Sequence, residues 1–377
     1  MNLNSCYLVC LLALSVLPAG AQTDKAQEPS AANVVKLMRS VADYHLANPV
    51  YAPRPTSPVA GTAWEFGVCW AGIMALAPVA GDDTYYKAAT DMGAKLNWQV
   101  GPRLYIADDM AIGQTYAELY LHDPTHPEMI AALKIACDSI LAAPPDDNLS
   151  RTSHAPANKW SWCDALFMAP PAMARLSAAT KDPKYLDYAN QHWKASFDFL
   201  YDKDEHLVYR DDRFFTMLDK DGKKIFWARG NGWAIGSIVR MLEFMPKDHP
   251  DRAKYNEALK AMAEKLVSLQ QPDGSWYPSL LNPQSLPFKE ESGSGLFTYS
   301  LAWGINNGVL DRATYEPSVL KAWSFLVTCV GPDGKLGNVQ GGGDRPGHVK
   351  PDFSTPYGVG AFLLAGSEVM KLGSPLK

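Results

Sequence analysis

A polar turn that leads into an amphipathic helix recurs along the chain, and this repeat constrains the fold more than any other feature of the sequence. Asp and Pro are frequent in these turns because both residues favour turns and helix starts. Such repetition is typical of helical hairpins that stack on one another. The turns are residues 81–86, 122–127, 181–185, 251–255 and 310–315.

Two kinds of helix alternate around these turns. Residues 255–270 place apolar side chains on one stripe and charged side chains elsewhere, which predicts a surface helix with one buried face. Residues 109–121, 232–244 and 295–306 are apolar or small nearly all round, which predicts helices that are buried on all sides. Each repeat unit therefore pairs a buried helix with an outer, amphipathic helix.

The buried helices begin at intervals of about 40 to 65 residues, which is enough for two helices and a loop. Six such units predict an all-α fold, a closed (α/α)6 toroid in which outer helices surround an inner barrel. The closing unit is short, so we expect residues 32–46 to supply its outer helix. An open solenoid would need polar capping repeats, whereas the last helix, 358–370, is apolar. The helix starts lie near Phe66, Asp108, Trp162, Trp227, Ser292 and Asp352.

The first 21 residues have the pattern of a signal peptide. An apolar core covers 8–17 and a small-x-small cleavage site covers 19–21, although no Lys or Arg precedes the core. We therefore expect residues 1–21 to be removed and the protein to be exported, to the periplasm or the extracellular space. Residues 22–31 are predicted to be a flexible segment, and 32–377 to form one barrel domain.

Composition and motifs exclude several classes of function. The net charge is −5 and there is no long basic run, so no nucleic-acid partner is expected. The signal core is too short for a transmembrane helix, and no other segment predicts one. Neither a metal site nor a cofactor motif is present, and no oligomeric state is predicted. The cysteines after the signal are expected to be small buried hydrophobes: Cys69, Cys137, Cys163 and Cys329.

Polar groups at the N-terminal ends of the inner helices are the candidates for function, because these ends open on one face of the ring. Asp164 is the strongest candidate, since it begins a buried helix among Trp and Phe side chains. An apolar pocket can raise the pKa of a carboxyl group, although an Asp at this position can also simply cap the helix. Asp108 and Asp109 are adjacent, so we expect only one of them to face the cavity.

Arg229 and Trp233 lie four residues apart and are expected to share a helix face. A guanidinium beside an aromatic ring suits an acidic sugar, because Arg binds the carboxylate and the ring stacks on the sugar. A structural pair between Arg229 and an Asp across the barrel is the alternative. Trp70 is either a core residue or a stacking platform.

Five segments in order resemble the unsaturated uronyl hydrolases of glycoside hydrolase families 88 and 105, most closely family 105. The segments are 108–114 (DDMAIGQ), 162–170 (WCDALFMAP), 227–233 (WARGNGW), 291–295 (ESGSG) and 357–364 (YGVGAFLL). Together they extend over nearly the whole mature chain. The resemblance implies an (α/α)6 barrel, in agreement with the repeat, and an unsaturated oligosaccharide as the substrate.

Members of these families remove the 4,5-unsaturated uronic acid that polysaccharide lyases leave at non-reducing ends. The resemblance implies that Asp164 is the general acid/base, which protonates C4 of the double bond before water adds at C5 and the hemiketal collapses. Asp108 matches the second active-site Asp. Arg229 and Trp233 match positions near the substrate, and Trp70 matches the stacking Trp of family 88.

One position departs from the family pattern. Many members carry a His after the Tyr in the segment that corresponds to 207–209, whereas this chain has Arg210. We expect Arg210 to contact the substrate and to read a further charge, such as a sulfate or carboxylate on the next sugar. Trp162, Asp109 and Glu291 complete the predicted substrate-binding set.

Three alternatives stay open. A sugar epimerase of the N-acylglucosamine type shares the fold but uses pairs of His on the inner helices, where this chain has almost none. A conventional glycosidase on the same fold would cut saturated polysaccharide. A catalytically inactive carbohydrate-binding ring would not need Asp164, Asp108 or Glu291 for binding.

Overall fold

The computed structural model describes most of the mature chain. The predicted signal peptide lies outside the described residues, and so does the predicted flexible segment as far as residue 28. The described residues are 29–49, 61–145, 148–150 and 160–373.

Helices dominate the described part of the chain, and the one sheet found there is a short antiparallel hairpin. The hairpin pairs β1 (Tyr201–Asp202) with β2 (Leu207–Val208). The helices are α1 (Ala31–Ala47), α2 (Trp64–Leu76), α3 (Thr84–Lys95), α4 (Gly113–His122), α5 (Glu128–Ala142), α6 (Ala165–Met168), α7 (Pro170–Thr180), α8 (Lys184–Leu200), α9 (Ala228–Leu242), α10 (Arg252–Ser268), α11 (Glu291–Asn306), α12 (Arg312–Thr328) and α13 (Pro356–Val369).

The helices form a closed (α/α)6 barrel, as the repeat predicts. The inner helices α2, α4, α7, α9, α11 and α13 each pack on the next, and α13 packs on α2 to close the ring. The outer helices α3, α5, α8, α10 and α12 each pack on the inner helix that precedes them. The N-terminal helix α1 packs on α13 and α2, so it supplies the sixth outer helix.

Burial separates the two layers in the way that the hydrophobic patterns predict. Every residue of the inner helix α9 is buried, and so is every residue of α11 except Asn306. The outer helix α10 buries only one stripe, because its charged residues occupy the other faces. The stripe consists of Tyr255, Leu259, Met262, Ala263 and Leu266.

Local capping shifts several helix starts from the positions that hydrophobicity alone predicts. The Glu290 carboxylate accepts hydrogen bonds from the backbone N–H groups of Ser292 and Gly293, so α11 begins at Glu291, one residue before the predicted start near Ser292. Residues 107–110 form a 3-10 turn, so α4 begins later than expected. The 3-10 turn replaces about one turn of α-helix before α4, at the end of the barrel where the candidate residues lie.

Ring closure depends on a close approach between α2 and α13. A Cβ atom at Gly72 would lie 2.6 Å from the carbonyl oxygen of Gly360, and one at Gly360 would collide with the carbonyl oxygen of Val68. Two glycines therefore allow the backbones of the first and last inner helices to touch.

Buried ion pairs fill the opposite end of the barrel, where the inner helices finish. The fully buried guanidinium of Arg175 donates to Glu118 and, over 2.7 Å, to Glu243. Arg240 lies 3.0 Å from Glu118, and the Tyr299 hydroxyl donates to Glu243 over 2.7 Å. These residues tie α4, α7, α9 and α11 together beside a cavity of about 500 Å³.

The four cysteines of the described chain are buried and form no disulfide bond there. None of the helices within the described ranges combines the length and the hydrophobicity that crossing a membrane requires.

Replacing Gly360 with alanine is expected to destabilise the barrel by about 1–3 kcal/mol, because the added methyl meets rigid backbone rather than a movable side chain. Urea denaturation followed by circular dichroism measures the change. Gly373→Ala is the matched control, since no atom lies within 4 Å of a Cβ at that position. Equal stability of the two variants would contradict the role given to the α2–α13 contact.

Candidate active site

Aromatic and charged side chains gather where the inner helices begin. Trp64, the first residue of α2, stacks on Tyr357 of α13 with ring centroids 5.0 Å apart. The guanidinium of Arg229, in the first turn of α9, lies 4.8 Å from the centre of the same Tyr357 ring. The N-terminal ends of these three inner helices therefore meet on the face opposite the buried ion pairs.

Asp164 lies directly before α6, and its side chain forms no hydrogen bond that caps the helix. Its side chain is 12% exposed. Its Oδ2 atom accepts a hydrogen bond from the Cys163 thiol over 3.2 Å and lies 3.6 Å from Nε of Arg210. Burial raises the pKa of the Cys163 thiol well above its ordinary value, so the thiol keeps its proton and can donate. The Asp164 side chain is therefore not engaged in capping the helix and is directed to Cys163 and Arg210 instead.

Asp108 is close enough to Asp164 for the two carboxyl groups to influence each other. Burial and the negative charge of Asp164 raise the pKa of Asp108 to about 7, against the opposing charges of Arg103 and Arg210. The pair therefore retains a proton up to neutral pH. The sequence pattern does not single out Asp108 as the carboxyl group whose pKa burial raises.

Asp109 faces away from this pair. Its buried carboxylate accepts hydrogen bonds from the backbone N–H of Arg103 over 2.8 Å and from the Arg103 guanidinium. It also packs against Gly101, where a Cβ atom would collide with it. Of the two adjacent carboxylates, only Asp108 faces Asp164, and Asp109 holds the preceding loop.

Arg210 lies beside Asp164. Its Nη1 atom donates to Oδ2 of the fully buried Asp211 over 2.6 Å, and its carbonyl accepts from the backbone N–H of Cys163 over 2.9 Å. Burial opposes ionisation of Asp211, but hydrogen bonds from Arg213 and Arg210 outweigh it and hold the pKa of Asp211 below its ordinary value. Asp211 is not among the predicted site residues, although its place next to Arg210 is a signal that could have found it.

Arg229 contacts backbone instead of a carboxylate. Its Nη1 and Nη2 atoms donate to the carbonyl oxygens of Gln340 (2.8 Å) and Gly341 (3.0 Å). Its guanidinium lies between the rings of Trp227 and Tyr357, at 4.3 and 4.8 Å from their centres. In the described ranges it forms no ion pair, so the alternative of an Arg–Asp pair across the barrel is not observed there. Arg229 therefore holds the loop that begins at Gln340.

Gln340 connects this loop to three inner helices, and no local sequence pattern indicates that role. Its side-chain amide accepts from the indole N–H of Trp227 over 2.8 Å and donates to the carbonyl of Arg345 over 2.9 Å. Its backbone N–H donates to the Glu290 carboxylate over 3.2 Å. Trp227 and Glu290, which form hydrogen bonds with Gln340, lie fifty or more positions earlier in the sequence. A pattern within one repeat unit therefore cannot indicate these contacts.

Two predicted tryptophans are buried near the site. Trp233 is fully buried against Trp64 and Phe167, with ring centroids 6.0 and 5.1 Å away. Trp162 is also buried, two positions before Asp164. Neither offers an open ring face in this structure, so stacking of a sugar on either one stays a prediction.

Trp64 and Trp70 are both partly exposed, and Trp64 lies at the mouth of the barrel, where it stacks on Tyr357. Both lie in the segment 64–70, and the family resemblance selects the second. Trp70 contacts residues of the outer helices α3 and α5, and its role as a stacking platform stays a prediction. It packs there in a small cluster with Met74, Ala89, Leu119 and Met129.

Glu291 is fully buried, and neither of its carboxyl oxygens has a hydrogen-bond partner in the described part of the chain. The side chain lies against Gly358, in the contact between α11 and α13. Burial and the charge of Glu290 raise the pKa of Glu291 well above its ordinary value, so the group is a neutral acid. The structure does not bring it to the open side of the site, and its contact with substrate stays a prediction.

The described residues contain no group of three His, Cys, Asp or Glu side chains that could hold a metal ion. The chemistry available at this mouth is that of two coupled carboxyl groups, a thiol donor and an adjacent guanidinium. A helical barrel with paired carboxyl groups at one mouth is typical of a glycoside hydrolase.

The chain belongs to Glycosyl Hydrolase Family 88, whose family model matches residues 37–373. The unsaturated 3S-rhamnoglycuronyl hydrolase of Formosa agariphila is 37% identical over 376 residues, covering 96% of this chain and 98% of that protein. This membership favours a glycoside hydrolase over the epimerase alternative.

Solved structures share the fold. A glycosyl hydrolase family 88 protein from Bacteroides vulgatus has a TM-score of 0.82 and 28% identity, over 91% of this chain and 100% of the other. A protein named as a polysaccharide lyase has a TM-score of 0.81 and 30% identity, over 92% of this chain and 99% of the other. The names of these two neighbours therefore include both cleavage by hydrolysis and cleavage by elimination.

Replacing Glu291 with glutamine is expected to change how stability depends on pH. The native state keeps the Glu291 proton above pH ~4.3, where the unfolded state releases it, so this group lowers stability as the pH rises. The variant has no group that titrates at this position. Its free energy of unfolding, relative to that of the wild type, should therefore rise by up to about 1.4 kcal/mol per pH unit. Urea denaturation at several pH values measures it. Glu257→Gln, at an exposed position of α10, is the control. A stability difference that stays constant with pH would rule out a buried neutral Glu291.

Proposed function

We propose that this enzyme removes 4,5-unsaturated uronic acid from the non-reducing end of oligosaccharides produced by polysaccharide lyases. The observation that carries the proposal is the coupled pair of Asp108 and Asp164 beside Arg210 at the barrel mouth. The name of the Formosa agariphila relative supports an unsaturated glycuronyl group and, as the sugar attached to it, rhamnose.

The proposed reaction begins with proton transfer from Asp164 to C4 of the enol-ether double bond. Water then adds at C5 and gives up a proton, and the hemiketal collapses to the free sugar and a keto acid. One proton is donated and one is recovered from water, so the carboxyl pair returns to its starting state. Asp108, with its pKa of about 7, holds the proton of the coupled pair and passes it to Asp164 for the transfer to C4, Arg210 stabilises the Asp164 carboxylate afterwards, and the proton given up by water restores Asp108.

We also propose that the protein is exported, on the basis of the signal pattern in residues 1–21. Sequencing of the mature N-terminus in the cell envelope or the medium tests this. A mature chain that still carries residues 1–21 in the cytoplasm would count against export.

Incubation with a panel of unsaturated oligosaccharides is expected to abolish the ultraviolet band of the double bond. Asp164→Asn should slow this loss by about 10²–10⁴-fold, because an amide cannot act as the acid, while the helical circular dichroism remains. Asp187→Asn, on the outer helix α8, is the control. Near-wild-type activity of Asp164→Asn would remove Asp164 from the acid role.

The direction of the absorbance change also separates the other candidates. A lyase, the activity for which one structural neighbour is named, would create the double bond in saturated polysaccharide, so the band would grow. A conventional glycosidase would release reducing ends from saturated polysaccharide without any change in the band.

Arg210→Gln is expected to move the alkaline limb of the pH–rate profile upward by about one pH unit. In the wild type, kcat/KM should fall above pH ~7 as the carboxyl pair loses its proton. The Arg210 charge lowers the pKa of Asp108, so a neutral side chain lets the pair hold the proton to higher pH. Arg39→Gln, whose partner Asp82 is on the outer surface, should leave the limb in place. If the alkaline limb of Arg210→Gln is unchanged or lies at lower pH, Arg210 does not lower the pKa of Asp108 in the way proposed.

A further inference from the structure

Asn231, in the first turn of α9, is fully buried and binds the backbone of another segment. Its Oδ1 atom accepts from the backbone N–H of Val208 over 2.7 Å, and its Nδ2 atom donates to the carbonyl of Val208 over 3.1 Å. The same Nδ2 atom donates to the Trp227 carbonyl, one turn back in the chain, over 3.0 Å. The amide therefore pairs with both polar backbone groups of Val208, as a neighbouring strand would.

Val208 ends β2 and lies two residues before Arg210, whose backbone is attached on a second side. The Arg210 carbonyl accepts from the backbone N–H of Cys163 over 2.9 Å. A Cβ atom at Gly230 would lie 3.0 Å from Sγ of Cys163, so the start of α9 packs against the turn before α6. The segment that carries Arg210 is thus held between the starts of two helices, by Asn231 on one side and by Cys163 on the other.

The Arg210 side chain has little of its own to fix it beside Asp164. Its Nε atom lies 3.6 Å from Oδ2 of Asp164, and within the described ranges this buried atom has no hydrogen-bond partner. The hydrogen bond from Nη1 goes to Asp211, the next residue of the same segment, so it ties Arg210 to its own segment. The distance between the guanidinium and Asp164 therefore depends on where the backbone of this segment lies.

We propose that Asn231 is a positioning residue for the proposed reaction, because its side-chain amide holds β2 where the Arg210 guanidinium meets Asp164. This inference rests on the proposed function, since it takes Asp164 as the acid. A carboxamide suits the role because it combines an acceptor with two donors. The three groups that it meets are one N–H and two carbonyls, so its acceptor and both donors have partners.

Only one of the cations around the carboxyl pair depends on Asn231. Arg103 is held directly by the buried Asp109 carboxylate, which accepts from its backbone and from its guanidinium. Loss of the Asn231 amide should therefore displace Arg210 and leave Arg103 in place. The charged and titratable groups around the pair are Arg103, Arg210, Asp109, Asp211 and Cys163.

The test uses Asn231→Ala and Asn231→Ser, which both remove the two hydrogen bonds with Val208. The serine hydroxyl can still donate to the carbonyl one turn back in the helix, so this variant keeps a local contact of α9. In both variants the alkaline limb of kcat/KM should move upward by up to about one pH unit, because a displaced Arg210 lowers the pKa of Asp108 less. In an Arg210→Gln background the same substitutions should leave the limb unchanged, since Asn231 acts through Arg210.

Asn190→Ala is the matched control, because Asn190 is a buried asparagine on the outer helix α8 whose amide binds Asp251 and Tyr255. It should lower the urea midpoint and leave the alkaline limb in place. If the Asn231 variants behave in the same way, Asn231 only stabilises the fold and the inference is overturned. An equal shift of the limb with and without Arg210 would overturn it as well.

A titration without turnover separates this inference from the proposed function. Carboxyl-carbon NMR of aspartate-labelled protein follows the group that titrates near neutral pH, which Asp108→Asn identifies by removing its signal. A higher pKa of this group in Asn231→Ser, with no hydrolysis of any unsaturated compound by the wild type, would support the positioning role and overturn the proposed function. Hydrolysis by the wild type, with the same titration in both proteins, would overturn the positioning role alone.

Discussion

The contact between α2 and α13 is the constraint on which the rest of the molecule depends, because it joins the first inner helix to the last. Gly72 and Gly360 bring the two backbones together, which leaves no room for any side chain between them. Without that contact the hairpins would form an open solenoid, and their N-terminal ends would diverge. Closure instead gathers those ends at one mouth, where Trp64 reaches Tyr357.

Closure also explains why charge can be buried at both ends of the barrel. At the end where the inner helices finish, Arg175 and Arg240 are compensated by Glu118 and Glu243, so the network is neutral and ties the helices together. At the other mouth, compensation is incomplete. Asp108 keeps a raised pKa because the charge of Asp164 adds repulsion to burial. One end is therefore suited to stability and the other to proton transfer.

The sequence predicts the fold well, because the pattern of fully apolar and half-apolar helices is a local property that each helix carries in itself. It also predicts that α1 supplies the sixth outer helix, because the short last unit has no outer helix of its own. Helix starts are less predictable. The Glu290 cap and the 3-10 turn at 107–110 depend on hydrogen bonds that hydrophobic periodicity does not report. The same distinction between local patterns and long-range contacts applies to the candidate site. Asp164, Asp108 and Arg210 come together at one mouth of the ring, whereas Gln340 gains its role only through contacts from distant segments.

Arg210 shows how one buried cation in such a site involves more than one contact. A guanidinium keeps its charge when buried, whereas a His in the same place could be neutral. The charge of Arg210 has to be balanced, and Asp211 does this from a fully buried position. Asp211 in turn takes two further hydrogen bonds from Arg213, whose remaining charge is shared with Asp344 and Arg345. The charge of a permanent cation beside the acid is therefore balanced outward, step by step, through Asp211 and Arg213 to Asp344 and Arg345 at the rim.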